Sequence, residues 1–148
     1  MFANAKPSER VALLGEIAPI SQGVGTATTA WVSVANVGEI LAIIQTGVLG
    51  ASATVDAKIQ QATDSSGTSA KDVTGKALTQ IVKATGDGKQ ALINVRGSDL
   101  DVSNGFGYVQ LSITVGTAAS QVAGTLLGFN PRFMDASALN AATVVQVV

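Results

Sequence analysis

Few side chains in this sequence could do chemistry, and their spacing limits what it would be. Asp99-Leu100-Asp101-Val102-Ser103-Asn104-Gly105 sets oxygen ligands at alternate positions before a turn, as a calcium loop begins. The glycine falls one place late, and the twelfth position is Gln110 where a bidentate Glu is needed. A strand-linking loop closed by Asn104-Gly105 is the plainer reading. Ser52, in Gly50-Ala51-Ser52-Ala53-Thr54, lacks the second glycine of a nucleophile elbow, and the chain has no His to serve as its base. Ser-Lys chemistry stays formally open, although no Ser-x-x-Lys occurs. Gly23-Val24-Gly25-Thr26-Ala27-Thr28 starts like a dinucleotide fingerprint but lacks its third glycine. It also leads into a strand-like segment, not into a helix whose first amides would hold a phosphate.

Other candidates have plain structural readings. A glycosidase-type carboxylate pair stays open, because its members can be far apart in sequence. Asp64, Asp87 and Asp99, however, fall in turns where solvation accounts for them. Trp31 could stack on a sugar, but a lone Trp in Ala30-Trp31-Val32-Ser33-Val34 reads as a core or interface filler. With neither His nor Cys, the side chains most easily tuned to titrate or to bind metal are missing. The expectation is a protein without catalytic residues, metal or cofactor.

The elements that would position any site are strands. Gly- and Asn-rich punctuation recurs every eight to fifteen residues or so, the spacing of an antiparallel sandwich or barrel. Candidate strands are Val11–Ile17, Thr28–Val34, Ile40–Thr46, Ala53–Ala62, Ala77–Val82, Ala91–Arg96, Tyr108–Val115 and Val122–Phe129. In Ala53–Ala62, Ala53, Val55, Ala57 and Ile59 share one face against Thr54, Asp56, Lys58 and Gln60. In Tyr108–Val115, Val109, Leu111, Ile113 and Val115 oppose Tyr108, Gln110, Ser112 and Thr114. A period of two excludes an amphipathic helix and sends one face to a core, the other to water or a neighbour. Ile93, Val95 and Leu126 join that expected core. Asp72–Ala84 admits a helix with Val73, Ala77, Ile81 and Ala84 on one side, though Gly75, Thr74 and Thr79 favour strand. Leu139–Val148 reads as a short helix or an extended tail.

The fold class expected is therefore all-β: a single antiparallel β-sandwich or barrel-like domain of about eight strands, with N- and C-terminal arms. Residues 1–10 form the first arm, 11–129 the domain and 130–148 the second arm. Phe2, Phe133, Met134, Leu139, Val144, Val145 and Val147 are apolar groups in arms that lie outside the alternating pattern, and they are the candidate contacts with a partner.

Composition narrows the partners. Nine Lys and Arg against ten Asp and Glu leave a net charge of −1 with no basic patch, which argues against nucleic acid. The charge-free runs Ile17–Gly38 and Val102–Pro131 carry too many Gly, Ser and Thr, with Pro19 and Gln22, for a lipid-facing helix. Met1-Phe2-Ala3-Asn4-Ala5-Lys6-Pro7 does not read as a signal peptide, since no apolar stretch follows a basic start. The expectation is a chain with no membrane or nucleic-acid partner and no cleaved address.

A resemblance adds to this. A strand Thr54-Val55-Asp56-Ala57-Lys58-Ile59-Gln60-Gln61-Ala62-Thr63-Asp64 precedes a Ser-Gly loop and Asp72-Val73-Thr74-Gly75-Lys76. Ala91-Leu92-Ile93-Asn94-Val95-Arg96-Gly97 and Gly107-Tyr108-Val109-Gln110-Leu111-Ser112-Ile113-Thr114-Val115 follow. The last strand ends Leu127-Gly128-Phe129-Asn130-Pro131-Arg132-Phe133. From about Gly38 to Arg132 this order resembles small proteins of tailed bacteriophages and prophages encoded among head genes, close to the major capsid protein. The resemblance implies a virion structural protein on the capsid surface, made in the bacterial host cytoplasm. It also implies a cement or decoration role, with the major capsid protein and neighbouring copies of itself as partners. A head-completion or tail protein is the nearer alternative, and a carbohydrate-binding or adhesion module the one from another class. The motifs mark a fold and carry over no site residue.

Overall fold

The computed structural model describes residues 4–132 and 141–148. A single helical turn, α1 (Pro7–Arg10), leads into β1 (Ala12–Gln22), β2 (Gly25–Thr28), β3 (Val32–Ser33), β4 (Glu39–Thr46) and β5 (Thr54–Ala62). Next come β6 (Lys71–Ala77), β7 (Ile81–Val82), a second turn α2 (Lys83–Gly86), β8 (Gln90–Arg96), β9 (Tyr108–Gly116) and β10 (Ser120–Phe129). No helix among the described residues is long and apolar enough to cross a membrane.

The strands form two antiparallel sheets that do not close into a barrel. One has the order β1-β10-β4-β8; the other has β2-β9-β5-β6, with β3 also on β9 and β7 also on β5. Counting β2 with β3 and β6 with β7 as two interrupted strands gives eight, four to a sheet, and the chain crosses between sheets at every step except from β5 to β6, which pair with each other. This is the strand order of a double-Greek-key jelly roll, an architecture shared by viral capsid domains, lectins and cupins. Such a fold hosts unrelated functions, so the site must decide among them.

Alternation explains the core. Val55, Ala57, Ile59, Ile93, Val95, Val109, Leu111, Ile113 and Leu126 are all buried, as their period-two spacing requires. Leu111 and Ile113 reach across to β10, where a Cβ on Gly124 would lie 2.7 Å from Leu111 Cδ2. The missing side chain at Gly124 is the space they fill.

Several strand limits differ from the sequence pattern, each for a local reason. Thr28–Val34 is broken because the buried Thr29 hydroxyl enters the ladder: Oγ1 accepts the Leu111 N–H at 3.1 Å and donates to the Ala30 carbonyl at 2.9 Å. Side-chain oxygen stands where a backbone carbonyl would continue the strand. Ala77–Val82 is also displaced. β6 starts earlier, at Lys71, and its register against β5 shifts between Lys58 and Gln60, around Gly75 at φ 73°. The helix admitted for Asp72–Ala84 does not form; Lys83–Gly86 is one turn. β1 runs on to Gln22 through two register shifts. In the first arm, Pro7–Arg10 is helical, and it lines a groove with Phe129, Asn130 and Pro131.

The core assignment yields one test. Ile113 is fully buried, so Ile113→Asp places a carboxylate among aliphatic groups without a partner. We expect a loss of at least about 4 kcal/mol in urea unfolding, or no folded protein. Retention of wild-type stability would show the face assignment of β9 to be wrong.

Candidate functional site

The Asp99–Gly105 segment folds as two 3-10 turns, Gly97–Asp99 and Val102–Asn104, closed by Gly105 in the left-handed region at φ 84°. Buried Gln61 anchors it by accepting the Asp101 N–H at 2.9 Å. Its two carboxylates serve different lysines. Asp99 accepts the Arg96 N–H at 2.7 Å and pairs with Lys76 at 2.9 Å. Asp101 pairs with Lys71 at 2.6 Å and accepts from Asn104 Nδ2 at 2.8 Å. The Lys71 ammonium also lies 4.0 Å from the centre of the Phe106 ring. Lysines thus take the positions that a cation would need, and no group of three or more His, Cys, Asp or Glu among the described residues could hold a metal.

The remaining sequence candidates resolve in the same way. Ser52 is exposed at φ 57° and shares a shallow cleft with Lys83. Lys83 Nζ, however, donates to the Leu49 carbonyl at 2.7 Å and to Asp87 at 2.9 Å, so its bonds tie the loops together and none runs to Ser52. Trp31 is half-buried under the loop after β5, and a Cβ on Gly67 would lie 2.5 Å from its indole nitrogen. Gly67 has φ 81° and can approach this closely only because it has no side chain. The ring is a clamp for that loop and not an open platform. Of the arm residues, Phe2, Phe133, Met134 and Leu139 lie outside the described residues. Val144 is half-buried, whereas Val145 and Val147 are exposed.

What the sequence did not point to is a contrast between the two outer faces. On the β2-β9-β5-β6 sheet the outward rows are polar: Thr26 opposite Thr114 opposite Asp56, Thr28 opposite Ser112 opposite Lys58, and Gln110 opposite Gln60 opposite Asp72. They bond to one another. The Thr26 and Thr114 hydroxyls are 2.8 Å apart, Lys58 and Gln60 hold Asp72 at 2.9 and 3.0 Å, and Gln80 donates to Asp56 at 2.9 Å. On the β1-β10-β4-β8 sheet the outward face carries an apolar patch between polar ends, where Glu39 stands opposite Arg96 at one end and Gln45 opposite Gln90 at the other. Leu13 stands opposite Leu127, opposite Leu41, with Asn94 ending the row; in the next row Glu16 stands opposite Thr125, then Ile43, then Leu92. Phe129 extends the patch, and Leu92 is 55% exposed.

The signal for this face was in the sequence. Ile40-Leu41-Ala42-Ile43-Ile44 is apolar at both parities, and so is Leu126-Leu127. Continuous apolar runs belong to strands covered on both faces. In this sandwich only one face of those strands is covered by the chain's own second sheet.

No family model and no curated protein matches the sequence. Solved structures with a similar arrangement include a chain of infectious bursal disease virus, Gx strain, at 12% identity and TM-score 0.46, matched over 86% of this chain and 33% of that one. This chain therefore spans about a third of the length of that viral protein. A chain of the empty particles of cowpea mosaic virus matches at 11% identity and TM-score 0.40, over 86% of both chains. The module TmCBM61, in complex with β-1,4-galactotriose, matches at 9% identity and TM-score 0.37, over 76% of this chain and 70% of that one.

Electrostatics give two expectations. Asp101 is held below the usual carboxylate range by Lys71 and then Asn104, and Asp99 by the Arg96 N–H and then Lys76. Lys58 does the same for Asp72, Lys83 for Asp87, and the Thr68 hydroxyl and N–H for Asp64. As pH falls, the unfolded chain takes up these protons first, so the contribution is complete above about pH 4–5 and lost as pH drops through the lowered native values. With no His or Cys, the melting temperature should stay level between about pH 5 and 8 and fall below about pH 4. Asp99→Asn should make that acid fall shallower, and a midpoint near neutral pH would contradict the assignment. Secondly, chelator and added calcium should both leave the melting temperature unchanged. A chelator-induced drop that calcium restores and Asp99→Ala abolishes would make the loop a cation site.

Proposed function

We propose that this protein is a structural part of a virus particle, a cement or decoration protein of a tailed-phage head that binds the assembled major capsid protein. The observation that carries the reading is the contrast between the outer faces. Exposed sheet faces of an independent domain carry polar residues, as the β2-β9-β5-β6 face does, whereas an apolar patch rimmed by polar residues, as around Leu41, Ile43, Leu127 and Leu92, marks a docking surface. The lysine-occupied acidic loop and the exposed valines near Val148 agree with a role in attachment. An adhesion module on the same scaffold would need an open aromatic platform, and the Gly67 loop covers Trp31.

Shell attachment asks little of each copy. Apolar area contributes roughly 25 cal/mol per Å² removed from water, so a modest patch gives a weak individual contact. Repetition over a lattice then supplies avidity. The outer face of the β1-β10-β4-β8 sheet provides such a patch on strands whose inner sides are locked in the core.

Bare shells and purified full-length protein test this directly. Leu92→Asp alters an already exposed position and should leave the melting temperature intact while weakening shell binding about tenfold or more. Thr26→Lys, on the opposite face, should bind as the wild type does. The reading fails if the protein is absent from stained gels of purified particles, or if Thr26→Lys loses binding while Leu92→Asp keeps it.

A further inference from the structure

Edge strands present unpaired backbone groups, and most edges of this sandwich are blunted. β1 carries Pro19 and two register shifts. β6 is interrupted at Gly75, and β2 and β3 are four and two residues long. β8 is different. Its seven residues, Gln90–Arg96, pair with β4 one to one, without a shift, Pro or Gly, and among the described residues no strand pairs with its other side. The same chain carries a segment suited to such an edge. Val144-Val145-Gln146-Val147-Val148 is β-branched at four of five positions and has no charged side chain, Gly or Pro, and Val145 and Val148 are fully exposed.

We propose that Val144–Val148 of one copy adds as a strand to the open edge of β8 on a second copy. Main-chain hydrogen bonds to β8 would supply the attachment, while alternate valines extend the apolar outer face at Leu92. The contact is heterologous, donor segment to acceptor edge, so each copy can engage two neighbours. It deepens the reading of a protein that sits beside its own copies on a shell, but it is a property of the chain itself and is tested without any shell.

The chain has no Cys, so single cysteines report contacts cleanly. Full-length Val147→Cys and Leu92→Cys proteins, each altered at an exposed residue, are mixed at high concentration and treated with a short bismaleimide. The expected result is a covalent dimer joining the two variants, in several-fold greater yield than when Val147→Cys is mixed with Val24→Cys, another exposed position outside β8. Adding Val145→Lys to the Val147→Cys chain should remove that dimer with the melting temperature unchanged. A yield equal to the Val24→Cys control, or no dimer, overturns the pairing. So does a chain carrying both Val147→Cys and Leu92→Cys that links only within itself. Failure here leaves shell binding by the Leu92 face standing, since that is read with shells and by Leu92→Asp.

Discussion

Leu111 and Ile113 of β9 fill the hollow over Gly124 of β10, and the spacing of the two sheets follows from that fit. Among the described residues the core cluster between the sheets is aliphatic, and the buried Phe106 lies outside it beneath Lys71. Aliphatic groups from one sheet must therefore interdigitate with gaps in the other. Gly128 leaves room in the same way for the loop before β4, for a Cβ there would lie 2.6 Å from Val37 Cγ1. A jelly roll packed in this way uses every inward position for its own stability. The outward positions are then free of folding constraints, and their chemistry reports what the molecule meets.

That separation gives the contrast between faces its meaning. The polar face is closed on itself through Thr26, Thr114, Lys58, Asp72 and Gln60. Its charged and amide groups pair with one another in exposed contacts, as Lys58 does with Asp72. Leu13, Leu41, Ile43, Leu127 and Phe129 are partly shielded by one another, and Leu92 stands clear at the edge strand. Nothing in the packing of the core asks for leucine or isoleucine at those sites.

The legibility of the sequence followed the same division. Thr54–Ala62 and Tyr108–Val115 were legible because one face is core and the other polar, so alternation marks both strand and orientation. Glu39–Thr46 showed a strand but not its faces, because Leu41 and Ile43 are as apolar as Ile40 and Ile44. Only its place between β10 and β8 tells which side looks outward. The break at Thr29 was hidden because Thr is a good strand residue until its hydroxyl takes over a ladder bond. The Asp99–Gly105 loop resembled a cation site for a related reason: Lys71 and Lys76, which hold its carboxylates, are distant in sequence and arrive through β6. Trp31 could be read as a filler, but not as a clamp on Gly67.

Unequal edges decide what kind of assembly such a domain can join. Two open, regular edges would let sheets pair side by side without limit, the hazard that edge-blunting devices prevent. Here Pro19 and the bulges of β1 close one end of the β1-β10-β4-β8 sheet, while β8 leaves the other open. A segment offered to that single edge gives a directional contact that forms rings or open chains according to the rotation between copies. Such a contact fixes no geometry by itself. A lattice would fix it, by holding each copy through its apolar face at a set distance from the next. Face and edge would then work at right angles, one holding the molecule down and the other holding it to its neighbour, and each contact would raise the effective concentration for the other.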